Sequence, residues 1–460
     1  MAVHPGSIAL LDGGHPTAIS WILNERENRP HMNLSPTDRA IRVLVGERSL
    51  EHPSCPPKPR MAKTKLAVVI THPIQHFAPW FKEIANDRSV QLRVFYCTDW
   101  GATDYVDPEF GRVLHWDIPL LEGYPHEFLP IKRRPERMSF WQVDNPSVAQ
   151  RLEAYEPDVL MVFGYAIRTS WRATAWAKRR RKPVLLISDS SLRGRKNVYT
   201  RMPQEVLVRK FYSNVDAAFS VGDDNRAFHI SYGLPTERIY PGGLPIDGLR
   251  IQAGASGASA ARNKIGVASH ESVVLFIGKM VGHKRPEDLL KAAVQLSSPS
   301  TWFVFIGDGP LLEPLREAAV AEGLEKVRFL GFINQSEIPA FIGASDILAV
   351  TSELDRHPLV VTEGACAGLA IVCSDRLGCI GPADTAQPGV NALVYECGRP
   401  EALAAALDSL LGNKKRLTEM QRNSVRIGMS QDVRPLADAL VVAVEDLVRK
   451  GVRSRERAVQ

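Results

Sequence analysis

Two stretches of the chain bring together residue types that could handle a phosphorylated ligand. The first is FIGKMVGHKRPEDLLKAA, Phe276 to Ala293, where Lys279, Lys284 and Arg285 place three cations within seven residues after Gly278. A loop of that kind can neutralise a diphosphate; the bland alternative is an exposed loop that happens to be basic. The second is SELDRHPLVVTEGACAG, Ser352 to Gly368, in which Asp355 and Glu363 stand eight residues apart. Pro358 suits the first turn of a helix. The N–H groups near Leu359 and Val360 would then form a helix N-terminus, an anion site beside Lys279 and Lys284. Asp355 precedes that helix and Glu363 lies more than a turn inside it, so the two acids would reach different parts of one ligand. The alternative is an acid favoured by the helix dipole plus one solvated glutamate.

Two further loops are weaker signals. Gly307-Asp308-Gly309-Pro310 makes a tight strand-to-helix turn, better read as a turn than as a ligand contact. FLGFINQSEIPAFIG carries Phe332 and Ile333 on a loop after an apolar run, where backbone groups can meet a nucleobase edge.

The elements that must position these loops follow an α/β pattern. KLAVVIT, QLRVFYC, PDVLMVFG, KPVLLIS and DAAFSVG read as short, nearly continuous apolar strands, with helical stretches between several of them. Strands without polar alternation are buried on both faces, which indicates a parallel sheet flanked by helices. A turn-rich segment over 232–252 reads as a linker. The pattern restarts with SVVLFIGKM, TWFVFIGDG, KVRFLGFI, DILAVTS, LAIVCSD and NALVYEC. The expected fold class is α/β, with two Rossmann-like doubly wound domains facing each other across a cleft. Its parts are an irregular extension over 1–60, domains over 61–245 and 246–430, and a C-terminal helix with a basic tail over 431–460. Ligands bind such sheets at the carboxyl ends of their strands, which is where the candidate loops fall.

The totals agree with this outline. The chain has 460 residues, more than one ordinary core accommodates, with 45% hydrophobic and 23% charged residues. No apolar run reaches the roughly 18–20 residues of a membrane span, and the N-terminus lacks the regions of a signal peptide. The six cysteines form no CxxC pair and no Cys/His ligand spacing, so reduced thiols in a cytoplasmic protein are expected, without a zinc site. Net charge is +6, with thirteen Lys/Arg against Asp189 and Glu205 between Met161 and Lys210. That stretch is either a solvated face or a surface for an anionic partner. No nucleic-acid-binding signature accompanies it.

The four loops in this order resemble the donor domain of family-4 retaining glycosyltransferases of the GT-B architecture, the bacterial glycosyl transferases group 1. The resemblance runs over roughly residues 265–415, and GFI, SDILAVTS, GLAIVCSD and PGVNALVYECGRPEALAAAL share in it. It implies that Glu363 matches the second acid of the family's E-x7-E motif, which binds ribose hydroxyls. Asp355 replaces the first Glu, which binds the donor sugar, with one methylene fewer. Lys279 and Lys284 match the family's Arg/Lys pair. THPIQHFAPWFKEIA, with His72 and His76, resembles the first loop of a bacterial subgroup. Many members carry a sugar-contacting histidine after the fourth strand; here PDVLMVFGYAIR has none, and His76 is the candidate to stand in for it. The alternative for either histidine is a packed or turn-bonding ring.

What the resemblance implies is transfer of a sugar from a nucleoside-diphosphate sugar to an acceptor hydroxyl, with retained anomeric configuration and without a metal. The expected catalytic residues are Lys279, Lys284, Asp355 and Glu363. The expected substrate-binding residues are His76, Gly278, Arg285, Phe332, Ile333, Pro358, Leu359 and Val360. A glycan or lipid-linked acceptor is expected, in cell-surface polysaccharide or glycolipid synthesis, with peripheral contact to an anionic membrane. The rival readings are a sugar-nucleotide epimerase, a phosphorylase on the same fold, and an inactive nucleotide-binding homologue.

Overall fold

A computed structural model describes residues 63–102, 105–107, 112–114, 116–193 and 198–459. The expectation for residues 1–60 lies outside them.

The first sheet is built from the apolar runs that follow Lys63. Strands β1 (Thr64–Ile70) and β2 (Val90–Tyr96) are joined by helix α1 (Phe77–Asn86), which buries Phe77, Trp80, Phe81 and Ile84 along one face. A separate antiparallel pair, β3 (Tyr105–Asp107) and β4 (Arg112–Leu114), follows. Then come β5 (His126–Phe128), α2 (Val148–Tyr155), β6 (Val159–Phe163), α3 (Arg168–Arg179), β7 (Val184–Ile187), α4 (Val198–Tyr212), β8 (Ala217–Ser220), α5 (Asp223–Ser231) and β9 (Ile239–Pro241). The sheet order is β5-β2-β1-β6-β7-β8-β9, parallel throughout. β9 falls inside the stretch whose turn residues read as a linker: its Ile239 is buried and pairs with Ala218 at the sheet edge.

The chain then passes through α6 (Gly248–Gly254) and α7 (Ala258–Ile265) into a second unit. It contains β10 (Ser272–Ile277), α8 (Pro286–Gln295), β11 (Thr301–Ile306), α9 (Leu312–Ala321), β12 (Val327–Gly331), α10 (Ile338–Gly343), β13 (Ile347–Val350), α11 (Leu359–Ala367), β14 (Ala370–Ser374), β15 (Ala392–Tyr395), α12 (Pro400–Leu411) and α13 (Lys414–Met429). Its order is β12-β11-β10-β13-β14-β15, again parallel. The last helix, α14 (Val433–Val459), does not stay with it. Val433, Leu436, Leu440, Val444 and Leu447 pack into the core of the first sheet with Trp80, Phe81 and Phe219.

One device recurs at the amino ends of the strands. An aspartate just before a strand accepts an N–H from the first or second residue of the neighbouring strand: Asp158 from Lys65 at 2.9 Å, Asp216 from Val184 at 2.8 Å, Asp346 from Val273 at 2.8 Å. The amide N–H of each same aspartate donates to the carbonyl of the residue it receives from. These reciprocal pairs satisfy backbone groups where the ladder ends and fix the register there. In both sheets the strand order reverses beside the first strand, between β1 and β6 and between β10 and β13. The crevice at such a switch point, beyond the carboxyl ends, is where a ligand fits.

Candidate functional site

A cavity of about 290 Å³ lies between the carboxyl ends of the two sheets. From the first sheet it is lined by Gln75, His76 and Phe77 ahead of or opening α1, by Phe163 ending β6, and by Ile187, Ser188 and Asp189 at the end of β7, with Trp116 and Leu244. The second sheet supplies Gly278, Lys279 and Lys284 after β10, Gly307 after β11, Phe332, Ile333 and Gln335 after β12, and Asp355, His357, Pro358, Leu359 and Val360 after β13.

The lysine loop is held from several sides. Thr351 Oγ1 donates to the Lys284 carbonyl at 2.7 Å, and the Glu353 N–H donates to the His283 carbonyl at 2.8 Å. Gly307 adopts φ +139, and a Cβ there would stand 1.8 Å from the Gly278 carbonyl oxygen. Only glycine lets the β10 and β11 loops approach so closely. Lys279 is buried at 8% exposure. Lys284 Nζ forms an ion pair with Asp355 Oδ2, both side chains mostly shielded. The first acid of the motif therefore holds the lysine as well as facing the cavity.

Helix α11 starts at Leu359, and its N-cap residue, Pro358, makes no side-chain cap bond. Its first N–H groups, from Leu359 and Val360, stand at the wall that carries Lys279 and Lys284, which adds partial positive charge on that side. Leu359 and Glu363 lie one turn apart on the same face of the helix. Leu359 lines the cavity; Glu363 is half-buried one turn deeper and is not a lining residue. Burial pushes its carboxyl above the usual carboxylate range, and the charge of Arg250 opposes this. Arg250 in turn donates to the Gln335 carbonyl at 2.6 Å and to Gln335 Oε1 at 3.3 Å, which links Glu363 to the rim of the cavity.

Arg285 is not among the lining residues either. Its backbone is left-handed (φ 49, ψ 48) and its guanidinium grips Asp288 with two bonds, Nε–Oδ2 2.7 Å and Nη2–Oδ1 3.0 Å. It was expected to touch substrate because it follows Lys284; the left-handed turn swings it onto α8 instead. The other expected residues, Lys279, Lys284, Asp355, His76, Gly278, Phe332, Ile333, Pro358, Leu359 and Val360, are brought together around one space.

The two histidines of the first loop differ. His72 Nδ1 is 2.9 Å from Thr71 Oγ1, a local bond within the turn. His76 lines the cavity, and neither ring nitrogen has a hydrogen-bond partner among the described residues. Burial, with the His357 and His72 rings adding to it, pushes its pKa down to about 3. Burial likewise takes His357 down to about 4, against the pull of Asp355. Both are neutral imidazoles at neutral pH, each able to donate and accept.

The first-sheet wall is what the sequence motifs passed over. Gln75, Trp116, Phe163 and the adjacent Ser188 and Asp189 come from four separate parts of the chain and share no local spacing. Asp189 did carry a signal, since it follows the apolar strand KPVLLIS at its carboxyl end. The cations of AKRRRKP lie elsewhere. α3 joins β6 to β7 and runs back from the cleft, so the exposed Lys178–Arg181 gather at the amino ends of the strands.

These features define a class of fold: two parallel doubly wound sheets with a crevice between their carboxyl ends, the GT-B fold. A crystal structure of Anabaena HepE in complex with UDP superposes with a TM-score of 0.65, covering 83% of this chain and 100% of that one at 17% identity. WaaG, a glycosyltransferase involved in lipopolysaccharide biosynthesis, gives a TM-score of 0.56 over 83% of this chain and 99% of its own, at 15% identity. At such identities the likeness is one of fold. Within the chain, residues 258–426 match the family glycosyl transferases group 1. D-inositol 3-phosphate glycosyltransferase 2 of Catenulispora acidiphila is 27% identical over 250 residues, which is 51% of this chain and 54% of that protein. The corresponding enzyme of Corynebacterium kroppenstedtii is 28% identical over 252 residues, 51% of this chain and 53% of its own. The chain spans about half the length of the curated relatives it matches.

Proposed function

We propose that this protein transfers a sugar from a nucleoside-diphosphate sugar to an acceptor hydroxyl, with the anomeric configuration retained. The observation that carries this is the convergence of Lys279, Lys284 and the start of α11 on one side of a cavity between two GT-B sheets. The family match over 258–426 supports it, as do neighbours of the same fold that hold UDP.

Charge develops on the diphosphate as the glycosidic bond lengthens and the sugar becomes oxocarbenium-like. Preorganised donors in a water-poor site stabilise that charge most where it develops. Lys279, Lys284 and the Leu359 and Val360 N–H groups serve this purpose, in place of a metal ion. Asp355 holds Lys284 and faces the sugar. Glu363, with Arg250 and Gln335, takes the ribose, and Phe332 and Ile333 border the base. Retention proceeds by attack from the face the diphosphate leaves, and the departing phosphate oxygen takes the acceptor proton. The product belongs to cell-surface polysaccharide or glycolipid synthesis on the cytoplasmic side. The exposed Lys178–Arg181 would face anionic headgroups at the membrane; unchanged liposome binding at low salt when these four are replaced by glutamine would contradict that contact. No helix among the described residues is long and apolar enough to cross a membrane.

The test is a thermal-shift screen of nucleoside diphosphates, UDP first, on wild type and Glu363→Ala. A ligand that binds only the native state raises its stability. A rise for wild type that shrinks in the variant is expected; no rise with any nucleoside diphosphate overturns the donor site.

A further inference from the structure

Four residues on the first-sheet wall of the cavity share one property. Gln75 Oε1, both ring nitrogens of His76, Ser188 Oγ and Asp189 Oδ1 are buried and have no hydrogen-bond partner among the described residues. All four residues line the same cavity. Buried polar atoms are nearly always paired, so a cluster of orphans around one space marks groups kept for a ligand. His357 Nδ1, on the facing loop, is a further buried atom without a partner among the described residues.

The charges are divided between the two walls. Lys279 and Lys284, the lysines that line the cavity, both come from the second sheet, and no Lys or Arg is among the described lining residues of the first. The first-sheet wall instead presents a carboxyl group, Asp189. His76 adds no positive charge, because its ring is neutral at ordinary pH. Arg193, on the loop that follows Asp189, is committed elsewhere: it donates to the Asp375 carbonyl at 2.9 Å and lies 3.8 Å from Asp224. Trp116 and Phe163 supply apolar faces beside these polar atoms, a combination that suits a sugar ring, with its C–H faces and hydroxyl edges. A phosphate or carboxylate here would meet Asp189, whose carboxyl already feels the charge of Arg356 on the facing loop, and no described lining cation on its own side.

We propose that this wall is the subsite of an uncharged, hydroxyl-rich acceptor, a neutral glycan, oriented by Gln75, His76, Ser188 and Asp189. Resting on the donor reading above, this assigns the acceptor class: no anionic group lies next to the hydroxyl that is glycosylated. Asp189 is the specificity-determining residue. It accepts from an acceptor hydroxyl when ionised, and it also donates when protonated.

The test uses the full chain saturated with UDP-glucose and follows UDP release with matched probes. These are myo-inositol against D-inositol 3-phosphate, together with the methyl glycosides of glucose, galactose and mannose. The neutral probes are expected to accelerate release, and D-inositol 3-phosphate to do so at least tenfold less well than myo-inositol. Asp189→Ala should raise the acceptor KM at least tenfold while the Kd for UDP moves less than twofold, and Asp189→Asn should recover part of the loss. Preference for D-inositol 3-phosphate overturns the inference, and so does an acceptor KM unchanged in Asp189→Ala. UDP binding with no acceleration by any neutral probe overturns it too, and leaves the donor site standing. Failure of every nucleoside diphosphate to bind overturns the donor reading, and this inference with it.

Discussion

Lys284 and Asp355 form a shielded ion pair at the cavity wall, and each gives the other its purpose. The carboxylate holds the ammonium in place before a ligand arrives, so that little reorganisation is needed when negative charge develops nearby. Replacing Lys284 by alanine removes that cation and leaves Asp355 facing the diphosphate of the proposed donor. We expect kcat to fall by about 10²–10³, the range for loss of one preorganised donor, with the far-ultraviolet circular dichroism unchanged. Turnover within tenfold of wild type would remove Lys284 from the mechanism. Part of this was legible in sequence, because seven residues of loop and eight residues of spacing carry the lysines and acids of the second sheet. Arg285 and Glu363 show where spacing stops short. A left-handed backbone turns the first onto Asp288, and helix pitch sets the second a turn below Leu359.

Elements meet across the cleft at a carboxyl cluster that no motif announces. Asp384, on the loop between β14 and β15, is 3% exposed and accepts the Asp223 N–H at 3.2 Å, at the start of α5. The Ala383 N–H donates to Asp223 Oδ2 at 3.0 Å. Burial, with Asp223 and Asp224 adding to it, pushes the Asp384 carboxyl up to about 7, against the Asp223 N–H and the charge of Arg193. Between about pH 4 and pH 7 the folded protein holds a proton that the unfolded chain has released, so this group makes stability fall as pH rises through that window and level off above it. Asp384→Asn removes the penalty. The melting temperature of the variant relative to wild type is expected to increase from pH 5 to pH 8. A difference constant over that range would show that Asp384 is ionised throughout. Sequence could not show this contact, because the partners are about 160 residues apart and meet only when the two sheets face each other.

At the scale of the molecule, the two crossings between the sheets lie side by side. Ile246 donates to Gln431 at 3.1 Å and accepts from Val433 at 3.0 Å, and Asp432 accepts the Gly248 N–H at 2.8 Å. The chain leaves the first sheet, builds the second, and returns through α14 to the core it left. Eleven strands of the two sheets were legible as apolar runs, most of them unbroken because a parallel sheet buries both faces; exposed Gln91 and Arg93 interrupt β2 and exposed Arg328 interrupts β12. β5 and β9 were not, being three-residue edge strands, and the return of α14 was not, since an amphipathic helix does not say which sheet it covers. The first-sheet wall of the cavity stayed hidden for a related reason: separate parts of the chain build it. The central claim is that this cleft moves a sugar from a nucleotide to a hydroxyl with retention and with lysines in place of a metal. The most direct measurement is proton NMR of the product formed from UDP-glucose and a methyl glycoside in excess EDTA. An α-linked product, formed at a rate indifferent to EDTA, is what the lysine-lined cleft predicts. A β-linked product, UDP released with no sugar on the acceptor, or activity lost in EDTA and restored by manganese would contradict it.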